Sequence, residues 1–177
     1  MNNIAPDQTR ILRYFALAAV VALLFASISL HLLGISAWTF ESGSMEPNMH
    51  IGDLVFTRNV PSTGIVTRED GAISGYKTFG DYGNVILYRK YGRTDVTPIV
   101  HRAMYYVEAG EPMWDGGPIA PHAGYITKGD NKITNRQYDQ YALCTEPVRE
   151  EWICGVACFR VPYIGYVRTI LSKIVGM

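Results

Sequence analysis

Apolar and polar positions follow three different patterns along the chain, and each pattern predicts a different element. From Tyr14 to Ile35 there is no charged residue, and Ser27, Ser29 and His31 are the clearly polar ones. The apolar side chains go all the way round a helix instead of forming a stripe, which suits lipid on every side better than a globular core. At a helical rise of 1.5 Å per residue the run spans about 33 Å, enough for the hydrocarbon core of a bilayer.

Beyond residue 54 the pattern shortens into β-type runs between glycines. Strands are predicted over Leu54–Thr57, Asn84–Lys90, Thr97–Glu108, Tyr125–Lys128 and Trp152–Val161. In the third of these, Val100, Arg102, Met104 and Tyr106 share one face, and Ile99, His101, Ala103 and Tyr105 share the other. Trp152–Val161 alternates poorly but is strongly apolar, as a strand buried on both faces would be. Residues 58–83, rich in Gly, Thr, Ser and Asp, read as a long irregular connection holding at most a short hairpin. Residues 109–124 carry four Gly and three Pro and form a loop. Gly129-Asp130-Asn131 is a turn, and 132–140 is an exposed connection. In the tail, Val167, Ile170, Leu171, Ile174 and Val175 fall at helical spacing with Arg168 and Lys173 among them. That amphipathic helix is too short and too charged to span a bilayer, and the tether upstream favours a place in the membrane interface over packing on the β domain.

The charges orient these elements. Arg10 and Arg13 precede the apolar run, whereas Glu41, Glu46 and Asp53 follow it. The positive-inside rule then sets residues 1–13 in the cytoplasm, 14–35 as the transmembrane anchor and 36–164 as a β-rich domain on the outer face, with 165–177 as the terminal helix. A cleaved secretory signal is the rival, since Gly34-Ile35-Ser36 before Ala37 offers small residues. Its hydrophobic region would usually be about 7–15 residues, so a retained anchor is expected. His31 reads as an interfacial residue at the outer end of the helix.

Composition narrows the function classes. The 177 residues carry 16 Lys+Arg and 16 Asp+Glu, with no basic stripe of the kind nucleic acid requires. Cys144, Cys154 and Cys158 are too few for a disulfide scaffold, and buried thiols are expected, with one disulfide open to an oxidising compartment. The four histidines show no paired-ligand spacing, so neither a metal nor another cofactor is expected.

What remains is nucleophilic chemistry. Serine hydrolysis of a peptide bond needs a hydroxyl, a base and donors for the oxyanion. Glu41-Ser42-Gly43-Ser44-Met45-Glu46-Pro47 offers two hydroxyls on a glycine turn, with Ser44 as nucleophile and oxyanion donor through its own N–H, and Ser42 as a second donor. Taken alone, the turn reads more readily as a flexible Ser/Gly linker between anchor and domain. His101, in a strongly β-forming run, is a rigidly held candidate base. His50 and His122 sit in or near loops without an obvious carboxylate partner. Asp130 and Asp139 are the candidates to orient the base.

The order of these segments resembles the type I signal peptidases. It is carried by the apolar run, Ser42-Gly43-Ser44-Met45-Glu46-Pro47, Ile99-Val100-His101-Arg102, Thr127-Lys128-Gly129-Asp130-Asn131 and Val161-Pro162-Tyr163-Ile164-Gly165. Histidine stands where bacterial members carry the lysine of a Ser-Lys dyad, which is similar to the archaeal and endoplasmic-reticulum branch. The resemblance implies a mainly β, Greek-key domain on a membrane anchor that removes signal peptides from secreted pre-proteins at the cell membrane, in contact with lipid and with secretion machinery. It also implies an aspartate six residues after Asp130, but that position is Arg136. Asp139 then fits as a counterpart displaced by three residues, and is favoured over Asp130 as the partner of His101. Two alternatives stay open: a tethered, non-catalytic β domain that binds extracellular partners, and a related peptidase with a dedicated substrate.

Overall fold

The computed structural model describes residues 8–61 and 64–164, with the side chains of residues 9, 26, 27, 30 and 31 outside the description. The chain forms two units, one up to Ser36 and one from Ala37 onwards. The first is built on α1, Gln8–Leu32, of 25 residues, or about 37 Å of helix. It begins six residues before Tyr14 and ends before Ile35, because Gly34 turns the chain with φ 64° and Ile35 enters a strand. Among the described residues, no helix is long and apolar enough to cross a membrane. The side chain of His31 and the helix expected over 165–177 both lie outside the described residues.

The second unit is mainly β, as its alternating runs predict. A six-stranded sheet takes the order β1-β2-β8-β5-β6-β7, from β1 (Ile35–Thr39), β2 (Leu54–Arg58), β5 (Val85–Tyr88), β6 (Ile99–Val107), β7 (Gly124–Lys128) and β8 (Ile153–Val161). Strands β5, β6 and β7 follow one another antiparallel, and β8 returns to pair antiparallel with β5. This is the 4-1-2-3 order of a Greek key. A two-stranded ribbon, β3 (Lys77–Thr78) with β4 (Asp81–Tyr82), is the short hairpin expected within 58–83.

That same connection also holds a helix that the sequence pattern does not predict, α2 (Arg68–Ser74). Thr67 caps it by accepting from the Asp70 N–H, Glu69 and Asp70 lie in its first turn, and Gly75 closes it in the left-handed region. Gly71, which weakens a helix by propensity, is required here because a Cβ would come within 2.4 Å of the Gly83 nitrogen. The predicted alternation in β6 holds only as far as Ala103. There the register with β7 slips between Ala103 and Tyr105, and the bulge re-aims the side chains beyond it. Arg102 is fully buried, whereas Tyr106, predicted on the same face, is half exposed. In β8 only the middle, Gly155 to Ala157, is buried, and Cys158 and Phe159 are exposed where the strand pairs with β2 alone. All three cysteines are free, Cys144 buried and Cys158 exposed.

Among the described residues, three apolar clusters fill the domain. One is centred on Ile86, Tyr88, Ala103, Val148 and Val156, and a second on Val107, Met113, Ala120 and Ile126. The third gathers Phe40, Met45, Met49, Val55, Val85 and Ala157, and it carries the Ser44 loop.

Candidate active site

The loop around Ser44 is fixed from below and from one side. Met45 and Met49 are wholly buried on either side of the turn, while Ser44 between core and solvent stays half-buried. Inside the loop the Glu46 N–H donates to the Gly43 carbonyl at 3.2 Å, and the Asn48 and Met49 N–H groups donate to the Met45 carbonyl. The Glu46–Pro47 peptide is cis. From the side, Asn131 donates its backbone N–H to the Ser44 carbonyl at 2.9 Å and its Nδ2 to the Gly43 carbonyl at 2.8 Å. Gly129 passes so close that a Cβ there would lie 2.6 Å from the Ser44 oxygen. The Gly129-Asp130-Asn131 turn therefore presents the serine. Ser42 Oγ and Ser44 Oγ are hydrogen-bonded at 3.2 Å.

Asp130 is part of this support and is not the partner of His101. Arg102 is wholly buried and grips Asp130 with Nε on Oδ1 at 2.8 Å and Nη2 on Oδ2 at 2.6 Å. The same guanidinium donates to the carbonyls of Thr78, Tyr82 and Gly83. Asn48 donates to Asp130 Oδ2 at 2.8 Å. One buried ion pair thus ties together the β3–β4 ribbon, β6, the 129–131 turn and the Ser44 loop.

His101 lies on β6 opposite Ile86 of β5 and is nearly inaccessible. Its Nδ1 is 2.7 Å from Asp139 Oδ2. The exposed connection expected over 132–140 does not hold at Asp139, which is 4% exposed and starts a single 3₁₀ turn, Asp139–Tyr141. Its carbonyl accepts from the N–H groups of Ala142, Leu143 and Cys144, which holds the turn. Its carboxylate accepts from Thr127 Oγ1 at 2.6 Å and Tyr88 OH at 2.8 Å. Burial alone would raise this carboxyl, but the hydrogen bond and charge of His101, with the Thr127 and Tyr88 hydroxyls, outweigh it and hold the group below the ordinary carboxylate value. Burial and then the Asp139 charge push the Tyr88 phenol well above its usual value, so it keeps its proton.

A cavity of about 690 Å³ brings Ser42, Ser44 and His101 to one surface. The chain from Ala37 through Ser42, the segment from Thr97 to Val100, and Leu87 and Leu143 also line it. Of the other histidines, His122 Nε2 is 3.1 Å from Glu146 Oε2, a carboxylate partner hidden in the sequence by a separation of 24 positions. His50 lies beside Arg160 and the Tyr163 ring. Neither lines this cavity. Sequence reasoning missed Tyr88, Thr127 and Gln140 as neighbours of the acid; Gln140 Oε1 accepts from the Thr127 N–H at 3.1 Å.

No family model matches the chain. Among curated proteins, it is 31% identical over 132 residues to the signal peptidase complex catalytic subunit sec11 of Sclerotinia sclerotiorum, covering 75% of this chain and 61% of that one. It is 32% identical over 134 residues to the subunit SEC11C of Canis lupus familiaris, covering 74% and 54%. The sec11 subunit of Aspergillus oryzae is 26% identical over 182 residues, with 98% of this chain and 85% of the relative covered. The chain thus spans about three-fifths of the length of the first of these relatives. These relatives, at about 31% identity over three-quarters of this chain, are signal peptidase complex catalytic subunits, and the chain is similar to them over that stretch.

Proposed function

We propose that the protein is a membrane-anchored serine endopeptidase that removes signal peptides from secreted pre-proteins. The observation that carries this reading is that one cavity is lined by both Ser44 and His101, while Nδ1 of His101 is held by a buried carboxylate. His101 Nε2 takes the proton of Ser44 Oγ as it attacks the scissile carbonyl. Asp139 holds the imidazole through Nδ1 and stabilises the cation that forms. The Ser44 N–H and the Ser42 hydroxyl receive the oxyanion. His101 then returns its proton to the leaving amine, and a water deprotonated by His101 releases the acyl group from Ser44. In the resting chain Ser44 Oγ is paired with Ser42 Oγ, and a substrate carbonyl entering the oxyanion position draws the Ser42 hydroxyl away.

The cavity suits an extended peptide with small side chains. Its lining includes segments 37–42 and 97–100, each containing strand residues, and β1 is an edge strand whose open side offers main-chain pairing. In this reading the uncharged apolar run from Tyr14 to Ile35 is the anchor, and the basic flank at Arg10 and Arg13 keeps the N-terminus cytoplasmic. A pre-protein held by its own apolar helix in the same bilayer is then at high effective concentration. Signal-peptidase-complex partners and lipid follow from the same reading.

Pre-protein processing in membranes tests it. Ser44→Ala is expected to abolish processing while leaving the protein folded and membrane-bound. Full processing by Ser44→Ala would favour the tethered binding domain instead. Depletion of the protein followed by a census of unprocessed pre-proteins separates a general peptidase from one with a dedicated substrate.

A further inference from the structure

Three donors converge on a single oxygen of Asp139. Tyr88 OH lies 2.8 Å from Oδ2, Thr127 Oγ1 2.6 Å and His101 Nδ1 2.7 Å. The hydroxyls of Tyr88 and Thr127 are also 3.3 Å apart, and Gln140 Nε2 is 3.4 Å from Thr127 Oγ1. All of these side chains are buried.

We infer that Tyr88 and Thr127, with Gln140 behind them, are positioning residues that set the proton arrangement of the His101–Asp139 pair. The inference rests on the peptidase reading. Counting protons shows how it works. Gln140 fixes the orientation of its amide, because Oε1 accepts from the Thr127 N–H and Nε2 donates to the Glu146 carbonyl at 3.5 Å and to Thr127 Oγ1. With a donor already on its oxygen, the Thr127 hydroxyl sends its one proton to Asp139, the shorter of its two remaining contacts. Tyr88 likewise sends its one proton to Asp139, at 2.8 Å against 3.3 Å to Thr127. Oδ2 then accepts twice from hydroxyls and cannot carry a proton itself. The third contact must therefore be a donated N–H, which assigns the proton to His101 Nδ1 and leaves Nε2 as the basic nitrogen facing the chemistry.

The three donors come from different strands, Tyr88 from β5, His101 from β6 and Thr127 from β7. Adjacent strands of one sheet thus set the position of a carboxylate carried on a loop. Gln140 sits in the same 3₁₀ turn as Asp139 and ties that turn to β7. The titratable groups around the carboxylate are His101, Tyr88 and the Cys144 thiol. With both hydroxyls sharing its charge, the carboxylate pulls less strongly on the imidazolium than a bare one would.

The test uses Tyr88→Phe, Thr127→Val and Thr127→Ser in the full-length protein. Phe and Val each remove one hydroxyl at nearly constant shape, and Ser restores the one at 127. For Tyr88→Phe and Thr127→Val, kcat is expected to fall about ten- to a hundredfold with KM little changed, since the groups touch no substrate. The acid limb of the kcat/KM profile is expected to move up by roughly half to one pH unit, because a less shared carboxylate holds the imidazolium more tightly. Thr127→Ser should recover most of the rate. Imidazole nitrogen NMR gives a readout free of activity: the parent should show the Nδ1–H form of His101 at neutral pH, and the two hydroxyl-less variants the same form with the Nδ1 signal moved towards a stronger hydrogen bond. Parental kcat, acid limb and nitrogen shifts in both variants would overturn the inference while Ser44→Ala still reports on the peptidase reading. Loss of folding in Tyr88→Phe leaves the decision to the Thr127 pair.

Discussion

The two aspartates of the site are asked to do different work, and Asp130→Ala separates them. In the folded chain the Arg102 guanidinium is wholly buried and the Asp130 side chain is 6% exposed. Deleting the carboxylate leaves a full positive charge in the interior. The carbonyls of Thr78, Tyr82 and Gly83 still solvate it, but they are dipoles and cannot neutralise it. Removing one partner of such a pair costs about 3–5 kcal/mol. At roughly 2–4 °C per kcal/mol for a chain of this size, the melting temperature should fall by roughly 6–20 °C. The loss is read from thermal and urea unfolding of the detergent-solubilised full chain, followed by tryptophan fluorescence, which reports on the β domain because Trp38, Trp114 and Trp152 all lie beyond α1. Replacing both partners, Arg102→Met with Asp130→Leu, should cost less than Asp130→Ala alone, since no buried charge remains. Asp139→Asn should show the opposite balance: a smaller change in melting temperature and a fall in turnover on the order of 10³–10⁴, as loss of the orienting carboxylate produces in serine triads. A melting temperature within about 2 °C of the parent for Asp130→Ala, with turnover abolished, would refute this division and make Asp130 the catalytic carboxylate.

Other consequences are as direct. Asp53, Asp81 and Asp139 all have carboxyls held below the ordinary value in the folded chain. A lowered folded-state value contributes stability that is complete above the unfolded value near 4 and is lost as pH falls through the folded values. Urea midpoints should therefore be flat from neutral pH to about 5 and then decline; a midpoint that rises on acidification contradicts this. Gly129→Ala should displace the Ser44 carbonyl, because its Cβ would lie 2.6 Å from that oxygen and 2.6 Å from Asn135 Cγ. We expect at least a tenfold fall in processing and a cost of about 1–3 kcal/mol, and an unchanged rate would show that the turn does not position the loop. Ser42→Ala should lower kcat by about 10²-fold with KM little changed if its hydroxyl receives the oxyanion. A change confined to KM would assign Ser42 to substrate binding.

The strand-forming runs were legible because period-two and short apolar patterns survive in Val85–Tyr88, Ile99–Val107 and Ile153–Val161. Strand β1 was not, since it begins at Ile35, the last residue of the apolar run that reads as helix, directly after Gly34 turns the chain. Helix α2 carried readable signals, Thr67 followed by Glu69 and Asp70 and then Gly75. Its seven residues and internal Gly71 concealed them, and the need for that glycine comes from Gly83, distant in sequence. Ser44, His101 and the two aspartates could be named from segment order, and the structure pairs Asp139, not Asp130, with His101. No local signal marks Asp139 and Gln140 as buried, because their run is polar and only the fold of strands β5, β6 and β7 over the turn covers them. Nor does any signal distinguish Tyr88 from an ordinary core tyrosine. Its hydroxyl acquires a partner 51 residues away.

The claim on which the rest depends is that Ser44 and His101 act as one unit. Its direct test is kcat/KM for cleavage of a pre-protein by the parent, Ser44→Ala, His101→Ala and the double variant, each in membranes and matched for folded protein. Groups that act together are not additive, so each single variant should lose at least about 10³-fold and the double no more than the worse single. Additive losses, or substantial cleavage by either single variant, would contradict the account.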